Sequence, residues 1–443
     1  MNRKAHPMRA SAAALLALIA SICLGEEAPL TISETAGLAA GEAPGIARAR
    51  ADVEAAEARH RAARSLLGPS LAMDAGLLAT NDPVGVFSYT LKQERFSLVE
   101  FAASDPNHPP ITQNWAAAIA AGWSLDLFGS ARGEARAAGK ATEAAARTAS
   151  RTRDTLVFQA LSAFAAAWRA EEANTLLSAR RADAEKDVSL ARSLQESGLT
   201  TAADPARAEA ALADVEAQVA AEQSAKATAR AALAALIGRQ AAERPIVGLP
   251  EPRPMPQANS AVRDDVAAAE LAFHAAQDSV KAARSSRFPA LVLSARYDLN
   301  APRPGSRWGD SASFFGGFHV PIFASGAVDA RISEALASER GAEAAAREAK
   351  QEQDRQIAAA RAAMTAASSR VAAFGEAEKA AARARQIQQA RYEEGAARLS
   401  DLLDARAAEL SARLGAAAAR SELTISEARL RLALGLPPEG EEN

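Results

Sequence analysis

The sequence predicts a mainly α-helical protein carrying short membrane-type β-strands, with the set of helix, strand, strand and helices written twice. Three observations lead there. Long alanine-rich stretches are laced with Glu, Arg and Lys; short segments alternate apolar with small or polar residues; and matched phrases recur in the same order in the two halves of the chain. Alanine has the strongest helix propensity and buries little area, so extended helices packed at close range are expected in place of a thick globular core.

Composition narrows the class. The chain has 443 residues, a formal net charge of -3, 49% hydrophobic and only 5% aromatic residues. The near-neutral charge leaves no basic footprint, so no nucleic-acid partner is expected. Arg3, Lys4 and Arg9 precede an apolar run from about Ala10 to Leu24. That run has the length of an export signal and falls short of the about 20 residues a membrane helix needs. Residues 1–25 are therefore read as a signal peptide, cleaved after Gly25. Cys23 lies inside it, and the bulky Ile22 before it disfavours lipid attachment. Without Cys23 the mature chain has no thiol for a disulfide or metal site. No later stretch reaches membrane-helix length without charges, which leaves a periplasmic, secreted or β-barrel protein.

The repeat sets the organisation. Ala62-Ala63-Arg64-Ser65 with Pro69 returns as Ala282-Ala283-Arg284-Ser285 with Pro289. Gly122 to Phe128 is echoed by Gly317 to Phe323, Gly198 with Asp204 by Gly395 with Asp401, and Leu233 to Gly238 by Leu430 to Gly435. Repeat 1 covers 26–242 and repeat 2 covers 260–443; the Pro-rich linker at 243–259 cannot continue a helix. In repeat 1 helices are expected at about 44–67, 128–195 and 205–236, with a β-hairpin at about 70–127. In repeat 2 they are expected at about 262–287, 324–394 and 400–434, with a hairpin at about 290–323. Each long helix would extend roughly 100 Å. The loops at about 81–114 and 301–310 are rich in turn-formers such as Pro83, Pro106 and Gly305.

Alternation defines the strands. Leu71, Met73, Ala75 and Leu77 share one face, as do Trp115, Ala117, Ile119, Ala121, Trp123 and Leu125. Leu291, Leu293, Ala295, Tyr297 and Leu299 do the same, and more weakly Ala312, Phe314, Phe318, Val320 and Ile322. Period-two segments of about ten residues are the mark of a membrane barrel strand, although an ordinary half-buried sheet alternates in the same way. If the strands span a membrane, four cannot close a barrel, which takes about eight, and open edges are not tolerated in lipid. Several copies must then pool their strands, and three copies supply twelve.

The ordered motifs resemble those of the TolC-like outer membrane efflux protein family. The most specific match is Tyr392-Glu393-Glu394-Gly395 followed by Leu399-Ser400-Asp401-Leu402-Leu403-Asp404-Ala405, similar to the family's Tyr-x-x-Gly and Asp-x-x-Asp-Ala motif. Trp123 to Gly129 and Arg287 to Leu291 add weaker matches. The resemblance implies a homotrimer with a twelve-stranded β-barrel in outer-membrane lipid, continued by a long α-helical barrel through the periplasm of a Gram-negative bacterium. It also implies partners, a periplasmic adaptor of the membrane-fusion type and an inner-membrane pump, and a passive duct for small molecules closed at its periplasmic tip. An exit duct for type I protein secretion is an alternative, and a soluble periplasmic helical scaffold or adaptor is one of another class.

Carried over residue by residue, the resemblance implies a gate. Asp401 and Asp404 match carboxylates that ring the aperture, and Tyr392 and Asp204 match an interhelix tie. The basic partner expected two residues after Gly395 is replaced by Ala397, with Arg398 adjacent. Threefold repetition would crowd six carboxylates at a constriction and attract cations. Plainer roles stay open: Asp204 before Pro205 suits an N-cap, and Asp401 suits a helix N-terminus. His60, His108, His274 and His319 lack metal-ligand spacing, and no phosphate loop, dinucleotide fingerprint or nucleophile elbow occurs. No catalysis, no cofactor and no metal are expected.

Overall fold

The computed structural model describes residues 28–103, 105–198, 200–246, 248–251 and 262–440; the expected signal peptide with Cys23 and most of the Pro-rich linker lie outside these. In chain order the elements are α1 (Ile32–Glu42), α2 (Pro44–Ser65), β1 (Ser70–Thr80), α3 (Pro83–Lys92), α4 (Leu98–Ala103), β2 (Thr112–Leu125), α5 (Ser130–Glu196), α6 (Ala203–Ile237), α7 (Arg239–Glu243), α8 (Asp264–Ser285), β3 (Ala290–Ala301), β4 (Gly309–His319), α9 (Ala327–Glu393) and α10 (Leu399–Leu434).

The duplication is present in the backbone. Helices α5 and α9 each have 67 residues. Gly129, Gly198 and Gly238 have φ of 86°, 72° and 87°; their counterparts Gly326, Gly395 and Gly435 have 80°, 72° and 76°. Each copy therefore places a glycine of positive φ at the same three helix boundaries, although Gly238, with ψ 152°, and Gly435, with ψ 23°, end their helices in different conformations.

The chain forms two compact units, and they do not follow the two repeats: each draws on both. The strand unit takes Ala51–Thr148 and Asp265–Ala349. Its single sheet has the order β1-β2-β3-β4, antiparallel throughout, so β1 and β4 each pair on one side only. The register aligns Met73, Ile119, Tyr297 and Ala312 in one row, and Leu71, Ala121, Ala295 and Phe314 in the next. These are the faces expected from alternation. The opposite rows read Ala72, Ala120, Arg296, Ser313 and Asp74, Ala118, Asp298, Ser311, so that face is small and polar. Leu71, Met73 and Phe314 are each more than 70% exposed on the apolar face.

Several expectations require correction. Strand β4 stops at His319, leaving Val320, Pro321, Ile322 and Phe323 beyond it; Pro321 has no N–H to offer a ladder. Phe315 sits on the mostly small and polar face, in register with Ser294, and Leu78 and Val292 share that face. The loop after β1 is not merely turn. Asp82 caps α3, accepting from Gly85 N at 2.6 Å, and Pro83 is its first helical residue. Helix α1, capped by Thr31, was not expected either.

The helical unit takes the described parts of Met1–Arg50, Ala149–Asp264 and Lys350–Asn443. Its core is thin and alanine-rich. Ala39, Ala160 and Ala167 are fully buried with Leu30, Phe164 and Leu233, and a second cluster joins Ala360, Met364 and Ala367 to Leu423, Leu430 and Leu434. Gly415 sits where an added Cβ would fall 2.2 Å from the Phe374 ring, so α9 and α10 approach through a missing side chain.

Candidate functional site

Two turns bring the expected gate residues together in the helical unit. At the end of α5, Gly198 N donates to Gln195 O at 2.9 Å; at the end of α9, Gly395 N donates to Tyr392 O at 3.0 Å. The left-handed φ of both glycines lets the chain leave one helix and turn into the next without Cβ strain. Between the turns lies a small apolar cluster: Val188, Ala191, Ala208, Tyr392, Leu399 and Leu402.

Tyr392 is the centre of that cluster, 7% exposed. Its hydroxyl is buried without a hydrogen-bond partner. Burial pushes the phenol pKa up, and the nearby carboxylates of Asp204 and Asp187 push it the same way. Asp204 is not the N-cap: α6 begins one residue earlier, after Ala202, and Asp204 stands in its first turn. Its carboxylate accepts from the Thr200 hydroxyl and lies 3.8 Å from the Arg207 guanidinium. The tyrosine and Asp204 are thus neighbours electrostatically, with no hydrogen bond between them.

Asp401 holds the third position of α10, where its carboxylate accepts from Arg398 N at 3.4 Å. Arg398 is the N-cap residue, and its guanidinium pairs with no carboxylate among the described residues. Asp401 and Asp404 are exposed while Leu399 and Leu402 are buried, so the two carboxylates share the outer face of the first turns. The repeats differ here. Asp204 is the counterpart of Asp401, but the counterpart of Asp404 is Arg207. One copy neutralises its own carboxylate, whereas the other presents two.

Beside this cluster is a charge network that sequence reasoning missed. Asp187, 3% exposed, receives Arg406 at 2.8 Å and Arg180 at 3.4 Å. Glu409 receives Arg385 and Arg413, each at 2.9 Å. Burial outweighs both arginines at Asp187 and raises its carboxyl pKa; burial likewise lowers that of Arg180. The available signal was periodic: Arg180 and Asp187 lie on the stripe of Leu177, Ala184, Val188 and Ala191, where solvated charges do not belong.

The polar face of the sheet carries the other candidate surface. Arg296 pairs with Asp298 at 2.9 Å on its own strand and with Asp74 at 3.6 Å on β1. Near one end of the strands Gln93 Nε2, just past α3, donates to Asn114 Oδ1 at 2.9 Å, and Asn114 Nδ2 donates to Asn300 Oδ1 at 2.8 Å. Among the described residues no group of His, Cys, Asp and Glu is placed to hold a metal, and no helix is long and apolar enough to cross a membrane.

Comparisons with known proteins agree with this architecture. The profile of the family described as "Outer membrane efflux protein" matches residues 36–239 and 256–436. No curated protein sequence matches the chain. Among solved structures, the outer membrane protein VceC of Vibrio cholerae is 22% identical with a TM-score of 0.75, covering 91% of this chain and 96% of that one. The CmeC outer membrane channel of Campylobacter jejuni is 17% identical with a TM-score of 0.80, covering 91% and 85%. A membrane protein from Pseudomonas aeruginosa is 23% identical with a TM-score of 0.79, covering 91% and 93%.

Proposed function

Because the chain belongs to the outer membrane efflux protein family, and so is an outer-membrane channel protein and not an enzyme, we propose that three copies form one passive export duct. The single observation that carries this is the sheet: apolar on one face, small and polar on the other, with β1 and β4 free at its margins. A free edge in hydrocarbon leaves backbone N–H and C=O groups unsatisfied at several kcal/mol each, roughly. Joining β4 of one copy to β1 of the next removes every edge, turns Leu71, Met73 and Phe314 to lipid, and turns Asp74, Arg296 and Asp298 to the bore.

The cargo in this reading is small molecules handed on by an inner-membrane pump through a periplasmic adaptor. The tip residues Asp204, Tyr392, Arg398, Asp401 and Asp404 form the gate: the Tyr392 cluster holds the turns together by packing, and Asp401 and Asp404 repeat into a ring of six carboxylates that draws cations. Family membership sets aside the soluble scaffold. The experiment is disulfide trapping across copies. Cysteines placed along Leu71, Met73 and Ala75 of β1, each combined with one at Ala312, Phe314 or Gly316 of β4, are expected to yield a covalent ring of three chains with single-channel conductance in planar bilayers. Monomeric mass from every pair would overturn the proposal.

A further inference from the structure

From a cavity in the helical unit we infer a binding site for a small free oxyanion of the phosphate or sulfate class. The cavity, of about 310 Å³, lies among α5, α9 and α10. Its lining includes five cations: Arg180, Lys186, Arg385, Arg406 and Arg413. Facing them are Asp183 and Glu409 in the lining, Asp187 behind it, and Glu378, 3.9 Å from Arg413. Five positive charges against four negative leave one over.

The arrangement is built rather than scattered. Asp187 and Glu409 are each shared by two guanidiniums, so each triad carries a surplus positive charge into the same space. Arg180 and Arg406 are 9% and 12% exposed and form the floor, while Lys186, 77% exposed, stands at the rim. Two donors in these walls, Nε of Arg406 and Nε of Arg413, are buried with no hydrogen-bond acceptor; Glu409 Oε1, 2.9 Å from Arg413 Nη2, is the one lining carboxylate oxygen buried without a hydrogen bond. Buried donors without acceptors are costly, and a planar guanidinium presents its N–H groups in the fork geometry that oxyanions match. An oxyanion supplies both the missing charge and the missing acceptors. The apolar lining is limited to Leu176, Ala179 and Leu410, which offers no groove for an acyl chain and selects a free anion over a lipid headgroup. The site is independent of the gate: it uses none of the five tip residues, although a bound anion would tie α5 to α9 and α10, the helices that carry Tyr392, Asp401 and Asp404.

Titration of the purified full-length protein with inorganic phosphate in a low-salt chloride buffer, followed by calorimetry and thermal shift, tests this. Saturable binding of one phosphate per chain is expected. Arg413→Gln weakens it at least tenfold, Lys186→Gln at the rim weakens it several-fold with no effect on folding, and Glu409→Gln, which frees two guanidiniums, tightens it. Arg361→Gln, an exposed charge elsewhere on α9, leaves it unchanged. The site is overturned by absence of saturable binding to the wild type, by equal affinity in Lys186→Gln and wild type, or by an equal loss in Arg361→Gln.

Discussion

Asn114 and Asn300 join the two halves of the duplicated chain: the amide of one donates to the amide of the other at 2.8 Å, with both side chains at most 4% exposed. They sit diagonally across β2 and β3, since Asn300 is in register with Ala116. Asn114 also accepts from Gln93, so a single side chain fastens α3 to the polar face of the sheet. Asn114→Ala takes the donor from buried Asn300 and leaves Gln93 Nε2 with only the Gln113 carbonyl, at 3.0 Å, and should cost about 1–3 kcal/mol. Asn300→Ala should cost less, because Gln93 keeps both its acceptors, and the double variant should fall short of the sum. Midpoints of thermal dissociation in detergent read the order; additive losses would refute the shared network.

Gly309 is predicted to tolerate no side chain. A Cβ there would lie 2.2 Å from the Lys92 carbonyl oxygen and 3.0 Å from the Gln93 backbone, and neither is the end of a flexible group. Gly309→Ala must push α3 off the sheet, at roughly 1–3 kcal/mol for overpacking. Gly76→Ala, with nothing within 4 Å, is the matched control. Trypsin acting after Lys92 or Arg95 on protein in liposomes should cut the first variant faster and the second at the wild-type rate.

At the tip the geometry separates packing from hydrogen bonding. The Tyr392 hydroxyl has no partner, so Tyr392→Phe should leave the conductance of the closed channel unchanged, while Tyr392→Ala opens a hole in the cluster of Val188, Ala208 and Leu402 and raises it. Asp401→Ala with Asp404→Ala should raise conductance and abolish block by multivalent cations. Planar-bilayer recordings read all three. Unchanged block in the double variant would remove the carboxylate ring.

Two carboxyls should move stability in opposite directions with pH. Asp187 has its pKa raised by burial from 3.8, so the folded chain holds its proton longer than the unfolded one. Its contribution is present below that value and falls as pH rises through the raised one. Glu34, held by Arg244 at 2.6 and 2.9 Å, has its pKa lowered from 4.5. Its contribution is present above 4.5 and is lost as pH falls through the depressed value. Unfolding midpoints across pH 3 to 7 should therefore show the wild type losing ground to Asp187→Asn as pH rises and gaining on Glu34→Gln. The same trend in both comparisons would contradict the assignments.

Much of the architecture was legible in the sequence because the two periods differ so clearly. Alternation identified the face of Met73, Ile119 and Tyr297, and the series of matched phrases located the helix ends that Gly129, Gly198 and Gly238 share with their counterparts. What escaped depends on the third dimension. Asp82-Pro83 fits a turn and a helix start equally well, and only the Gly85 N–H accepted by Asp82 decides between them. Asp204-Pro205 reads the other way: it looks like a cap, but the helix had already begun at Ala203. Arg180, Asp187, Arg406 and Glu409 look like solvated charges in an alanine-rich helix until two other helices close over them.

The margins of the sheet carry a genetic consequence. Strands β1 and β4 are different sequences, so in the proposed ring each chain would join its neighbours head to tail, and no chain could cap the ring alone. A subunit with a spoiled β1 would still accept a companion through β4 and would poison the assembly it entered. In a cell making sound and spoiled chains equally, only about one trio in eight would be wholly sound, so such an allele behaves as a dominant inhibitor of export rather than a recessive loss.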